Sequence, residues 1–385
     1  MRDYQYPITS KLPHVGTTIF TVMSRLAAEH NAINLSQGFP DFDCAPELRA
    51  LFCHYINAGF NQYPPMAGIM GLREAIAEKM QSLYGAGYDP EHEITVTPGA
   101  TYAIFTAVSA FVSPGDEVIL FEPAYDSYAP AVEVNGGKPV YVQLRYPDYS
   151  IDWEAVKNAI TPRTRMMIIN TPNNPTASVF SAEDLRMLDG LLRNTNIIVA
   201  SDEVYEHLIY DGHQHQSVAR YPGLAQRSFV VNSFGKTYAV TGWKMGYAMA
   251  PKNLMLEFRK VHQFNAFVSN SPVQYAFADY MKNKDAYLSL AAFYQKKRDF
   301  FLDGLQGSRF KPLPSRGTFF QNLAYDAISD ERDTDLAIRL TKEKGIASIP
   351  VSVFYREPPA HKVLRFCFAK SEATLAKGAA ILSKI

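Results

Sequence analysis

Asn232-Ser-Phe-Gly-Lys-Thr-Tyr-Ala-Val-Thr-Gly-Trp-Lys-Met-Gly-Tyr247 is the stretch that decides how this chain of 385 residues is read. It follows one short apolar run, Phe229–Asn232, and enters another, Tyr247–Ala250. A buried strand that ends in a glycine, a lysine and hydroxyls marks the place where open α/β sheets hold their ligands. Gly235-Lys236-Thr237 invites a P-loop reading, with Ile197–Glu203 as the partner strand. The spacing refuses it, because a P-loop needs a second glycine upstream where Val230 stands.

Outward from this stretch, β-branched runs alternate with helical patterns. Strands are predicted at Ile94–Thr97, Glu117–Phe121, Pro139–Gln143, Met166–Asn170, Ile197–Ser201, Phe229–Asn232 and Tyr247–Ala250. Several are near-continuous apolar runs, which suits strands covered on both faces of a mostly parallel sheet. Between them, Leu72, Ile76, Met80 and Leu83 share a helix face that Gly85 stops, and Ser181-Ala-Glu-Asp184 opens a helix to Leu192. The alternation predicts an α/β fold with a large doubly wound domain over 48–287. A smaller α+β domain is expected over 288–385, and residues 1–47 supply an arm and its first part. That domain would hold a polar helix at 285–306 with Lys296-Lys297-Arg298 as its solvated face. Strands at Thr318–Leu323 and Val363–Phe368 and helices near 333–344 and 371–384 complete it.

Composition narrows the classes. Apolar residues make up 47% and charged residues 20%, which supplies a core and excludes wholesale disorder. Lys plus Arg and Asp plus Glu are both 38, so neither nucleic acid nor a membrane is an expected partner. Cys44, Cys53 and Cys367 lack CxxC spacing, which excludes a disulfide framework and a thiolate zinc site, and no metal is expected. The uncharged stretch Ile94–Gly115 is long enough to span a bilayer, but Pro98-Gly99 divides it; a strand, a glycine turn and a buried helix fit better. Met1–Val15 has no signal-peptide core, and a soluble, cytoplasmic protein is expected.

The chemistry sits at the strand ends. Lys236 could form a Schiff base with an aldehyde cofactor, and Asp202, ending another strand, could pair with a pyridinium nitrogen. Pyridoxal phosphate needs both, a lysine for the aldehyde and a carboxylate to keep the ring nitrogen protonated. It also needs a phosphate cup. Thr97-Pro-Gly-Ala-Thr101 would point the amides of Ala100 and Thr101 at an anion, and Ser233 and Lys244 can add a hydroxyl and a charge. Taken singly, a lysine after a strand is usually a surface lysine, and a strand-end aspartate is more often a helix cap. Their joint occurrence, in this order on this fold class, carries the reading.

Further motifs then give a family likeness. They are Ser10-Lys-Leu-Pro13, Gly16-Thr-Thr-Ile-Phe20, Asn34-Leu-Ser-Gln-Gly-Phe-Pro-Asp-Phe42, Gln62-Tyr63, Asn173-Asn-Pro-Thr176, Ser201-Asp-Glu-Val-Tyr205, Ser233-Phe-Gly-Lys-Thr237 and Leu364-Arg-Phe366. With them the chain resembles, nearly end to end, the fold-type-I, class I/II aminotransferases of pyridoxal 5'-phosphate. Within that class it is most similar to the branch of bacterial methionine aminotransferases and kynurenine/glutamine transaminases. Ala177 stands where many members have glycine, a difference expected to be harmless.

The resemblance implies roles. Lys236 is the Schiff-base lysine and general base, Asp202 the pyridinium partner, and Tyr205 with Asn174 the donors to the cofactor's phenolic oxygen. Tyr125 would stack on the ring, and Ala100, Thr101, Ser233 and Lys244 would form the phosphate cup. Tyr63 would reach that cup from the other subunit of a homodimer with composite sites. Arg365 would clamp the substrate carboxylate, helped by Asn174 and the Gly38 amide; the planar guanidinium suits two parallel bonds to a carboxylate. Phe20 and the partner-borne Phe267 would wall the side-chain pocket, and Phe39 is as well explained by packing. The expected reaction is ping-pong transfer of an amino group from methionine, or another large apolar or aromatic amino acid, to a 2-oxo acid. A carbon–sulfur β-lyase on the same apparatus and a kynurenine/glutamine transaminase are the competing readings. A non-enzymatic regulator is disfavoured, since no DNA-binding head is expected ahead of the aminotransferase region.

Overall fold

The computed structural model describes residues 3–385. Two short strands, β1 (Ile33–Asn34) and, late in the chain, its partner near residue 346, bracket the larger architecture. Seven strands form the main sheet: β2 (Ile94–Thr97), β3 (Glu117–Glu122), β4 (Lys138–Gln143), β5 (Thr164–Asn170), β6 (Ile198–Asp202), β7 (Ser228–Ser233) and β8 (Gly246–Met249). Their order is β2-β8-β7-β6-β5-β3-β4, and only β8 runs against the others. Every strand predicted for this sheet is present, shifted at its ends by a residue or two.

The near-continuous apolar strands have the predicted cause. Ile119, Met167, Ile169, Val199 and Val230 enter one core, while their neighbours Val118, Met166, Ile168, Ile198 and Val231 enter the other. Successive side chains of a strand face opposite ways, so a sheet covered twice needs apolar residues at every position. The uncharged stretch from Ile94 onward is β2, the Gly99 turn and helix Ala100–Phe111. Among the described residues no helix is long and apolar enough to cross a membrane.

A second sheet comprises β9 (Lys311–Pro312), β10 (Phe320–Ala324), β12 (Ile349–Pro350) and β13 (Val363–Cys367), in the order β12-β13-β10-β9, while β11 (Ile346–Ala347) pairs with β1. Thr318, expected in a strand, instead takes φ 65° in the turn before β10. The polar helix is two pieces, Asp285–Leu288 and Leu290–Asp303. Its basic triplet corrects the expectation of a solvated face. Lys296 is exposed, but Lys297 donates to the Lys370 carbonyl at 2.7 Å, and Arg298 is buried against both carboxylate oxygens of Asp211 at 2.6 and 2.7 Å. Charge periodicity cannot tell a solvated arginine from one whose carboxylate lies far away in sequence.

Candidate active site

The site lies at the carboxyl edge of the main sheet, and strand register explains its membership. Gly246 of β8 sits opposite both Thr97 of β2 and Ser233 of β7. Because β8 is antiparallel, its entry lies at this edge, and Lys244 and Met245 arrive with it. On the far side, Asn170 and Asp202, the last residues of β5 and β6, are paired. One cavity is therefore lined by Ala100, Thr101, Ser233, Lys236 and Lys244 on one side, and by Tyr125, Asn174, Asp202 and Tyr205 on the other.

Each group has a distinct environment. Lys236 Nζ donates to the Gly38 carbonyl at 2.9 Å and lies 5.3 Å from the centre of the Phe319 ring. Burial pulls its pKa down to about 8, and the charges of Arg365 and Lys244 act in the same direction. Asp202 is buried and accepts from the Tyr128 hydroxyl at 2.6 Å and from the Val204 amide at 3.2 Å. Burial nonetheless pushes its carboxyl up to about 6. Tyr205 is buried as well, with its ring edge-on to Phe319 at 5.1 Å between centroids.

One end of the cavity is built from a helix start. Gly99 has φ 86°, and the helix that follows has neither a side-chain cap nor an acidic residue in its first turn. Its leading amides are orphan donors at the positive end of the helix dipole. A methyl group on Gly99 would stand 3.7 Å from Lys244 Nζ, which places that ammonium against the same turn.

Arg365 is 1% exposed at the middle of β13. One of its terminal nitrogens donates to Asn174 Oδ1, the other to the Ser36 carbonyl at 3.3 Å, and Nε is buried without a partner. Its guanidinium stacks 3.9 Å from the Phe320 ring centre, with Phe354 at 5.3 Å and Phe20 at 5.4 Å. Among the described residues no carboxylate forms an ion pair with this guanidinium, and burial pulls its pKa down to about 10 although Asp126 is near enough to raise it. Gly38 lies beside the Phe320 ring: a Cβ there would be 2.6 Å from Phe320 Cζ, so any side chain would have to displace that ring.

Gly38, Arg365 and Phe20 adjoin this cavity without lining it, through Lys236, Asn174 and Arg365 respectively, whereas Tyr63, Phe267 and Phe39 stay apart from it. Tyr63 is 81% exposed, and its ring meets Phe267 edge-on at 5.6 Å. Phe39 turns outward over Lys370 Nζ at 4.7 Å, which leaves it to packing. Several participants lie outside the sequence expectations. Tyr128 lines the cavity, and its position one turn beyond Tyr125 is the signal available for it. Asn170 takes the Asn174 amide on Oδ1 at 2.7 Å and donates to the Asp202 carbonyl at 2.9 Å; a polar residue closing an apolar strand is its signal. Phe320 and Phe354 give none, since only the fold brings them to Arg365.

Comparison with known proteins defines the class. The family model for aminotransferase class I and II matches residues 30–382, so the chain belongs to the class I and II aminotransferases and is an enzyme. Within the class, it is 47% identical over 377 residues to methionine aminotransferase of Escherichia coli, covering 98% of each chain. It is 36% identical over 390 residues to kynurenine–oxoglutarate transaminase 1 of Mus musculus, covering 91% of each. Its fold matches the crystal structure of YbdL from Escherichia coli, described as having a methionine aminotransferase function. That match has TM-score 0.97 and 46% identity, and covers 99% of this chain and 100% of that one.

Proposed function

We propose that the cavity holds pyridoxal 5'-phosphate and that the enzyme moves the amino group of methionine, or another large apolar or aromatic amino acid, to a 2-oxo acid. The carrying observation is that Lys236 and Asp202, a depressed amine and a buried carboxylate whose hydrogen bonds do not offset its burial, line one cavity with an uncapped helix start. The donor set fits the cofactor: orphan amides and Lys244 for a phosphate, Asp202 for a cationic ring nitrogen, and Tyr205 with Asn174 for a phenolic oxygen. When bound, that cofactor supplies an aldehyde for the amine and a ring that accepts the electrons released at Cα.

The chain's own residues do the rest. Tyr125 covers a ring face, and Ser233 joins Ala100, Thr101 and Lys244 at the phosphate. Arg365, with Asn174 and Gly38, orients the substrate carboxylate. Lys236, whose neutral fraction grows as pH approaches its pKa of about 8, takes the Cα proton on Nζ and returns it. Donor and acceptor use the same site in turn, which makes the kinetics ping-pong. The phenylalanines around Arg365 favour a thioether or a ring over a second carboxylate, which they would leave desolvated. The names of the Escherichia coli and mouse relatives support the same substrate class.

Borohydride reduction should fix the cofactor to Lys236, and an adduct on any other lysine would refute the assignment. kcat/KM for methionine, phenylalanine and aspartate with one oxo acid tests the substrate class, and parity for aspartate would refute it. We also propose a cytoplasmic homodimer in which Tyr63 and Phe267 serve the neighbouring site; their exposed pairing outside their own cavity supports this. Mixing inactive Lys236→Ala with inactive Tyr63→Ala chains should restore activity, and no recovery would refute the shared site.

A further inference from the structure

Tyr128 opens the helix Tyr128–Val134 and lines the cavity, yet none of the roles above uses it. Its ring is 3% exposed and meets Tyr125 edge-on, with centroids 5.7 Å apart. Its hydroxyl donates to Asp202 Oδ2 at 2.6 Å, and the Val204 amide takes Oδ1 at 3.2 Å. Each carboxylate oxygen thus has one donor, which fixes the plane of the group and leaves lone pairs for a donor in the cavity.

We propose that Tyr128 is a positioning residue for Asp202, holding the carboxylate in orientation and keeping it ionised for a protonated ring nitrogen. This role rests on the reading of the cavity as a pyridoxal-phosphate site. The charges facing Asp202 show why a donor is needed. Burial and Glu203 both push its proton affinity up; the Tyr128 and Val204 bonds and the more distant Lys236 ammonium push it down. Burial, together with the neighbouring Asp202, Tyr125 and Tyr205, raises the pKa of Tyr128 well above the ordinary value, so it remains a donor throughout the working range. Hydrogen bonds to a charged group are the stronger kind, and this one is short. Its ring edge against Tyr125 also ties the orientation of the carboxylate to the aromatic proposed to cover the cofactor ring.

The test uses the full-length chain stripped of cofactor, titrated with pyridoxal 5'-phosphate across a range of pH. Tyr128→Phe keeps the ring and removes only the hydroxyl. It should weaken cofactor binding on the order of tenfold or more and move the pH at which affinity develops upward, because Asp202 ionises later. In an Asp202→Asn background, the same substitution should change affinity by no more than about twofold, since the group it acts through is gone. Equal losses in both backgrounds would make Tyr128 merely structural and overturn the proposal. So would wild-type affinity and pH dependence in Tyr128→Phe. A wild-type chain that takes up no cofactor would overturn the reading of the cavity itself, an outcome distinct from either.

Discussion

Asp202→Asn should stabilise the cofactor-free enzyme while crippling the loaded one. In the folded chain the carboxyl is pushed from 3.8 up to about 6 by burial. A group whose folded pKa is raised contributes stability that is fully present below its unfolded pKa. That contribution is lost as pH rises through the folded pKa. A rise of this size corresponds to about 3 kcal/mol of penalty for the ionised form near neutral pH. The amide carries no charge and keeps a carbonyl for the Val204 amide, but it leaves the Tyr128 hydroxyl without its acceptor, an offset of about 1 kcal/mol. The net gain is about 2 kcal/mol. Unfolding entropy of roughly 2.1 cal/mol/K per residue gives about 0.8 kcal/mol/K for 385 residues, so the melting temperature should rise by roughly 2–3 °C. Thermal scans of both cofactor-free proteins over a pH series measure this directly. The variant should lead near neutral pH and lose its lead as pH falls toward the unfolded carboxyl's value of about 3.9. Saturating cofactor should reverse the order, because only the carboxylate gains a cationic partner. A variant less stable than wild type near neutral pH, or a gap independent of pH, would refute the picture of a carboxylate whose partners do not offset its burial.

Gly38→Ala should cost about 1–3 kcal/mol and raise KM for the amino acid, since the new methyl displaces Phe320 from Arg365; unfolding titrations and kinetics check it, and an unchanged KM counts against it. Lys79→Met should cost about 3–5 kcal/mol by stranding Glu206, a carboxyl that burial pushes up but that this ammonium holds down at about 2. Pairing it with Glu206→Gln should recover most of the loss in urea midpoint, and a double variant as weak as the single one would contradict this. In the cofactor-free protein the rate at which Lys236 condenses with an aldehyde should climb with pH toward a plateau above about 8 as the amine loses its proton, and a rate still climbing well above that region would contradict the lowered pKa.

How much of this is legible depends on where each constraint lies. The seven strands of the main sheet can be read because burial on both faces forces apolar residues into consecutive positions, a pattern local to each strand. The site residues at strand ends can be read for a related reason: Asp202, Ser233 and Lys236 each close or follow such a run within a few positions. Lys244 is legible only as a nearby positive charge. Its placement beside the Gly99 turn depends on β8 running backwards, which no local pattern announces. Arg298 reads as a solvated side chain because its partner, Asp211, belongs to a distant segment. Phe354 gives no sign because it meets a guanidinium eleven residues further along the chain (365 − 354), across an intervening turn.

The groups at the site share one property: their environments are incomplete within the chain. Arg365 carries a buried Nε without a partner, Asp202 a carboxylate that burial opposes, and the helix after Gly99 a set of uncapped amides. Scattered through a structure, such groups would be isolated costs of unrelated origin. Here Asp202 and the uncapped helix start line the same cavity, and Asn174 joins that cavity to Arg365 through its side-chain oxygen. Their signs also differ by location, with donors and positive charge at the helix end, negative charge at Asp202, and positive charge again at Arg365. A ligand that answers all three must carry an anion at one end and a protonated nitrogen along its length, and must present a second anion to the arginine when substrate joins it. Each of these groups costs stability on its own, and their gathering around one cavity is what a site built for a charged, composite ligand requires.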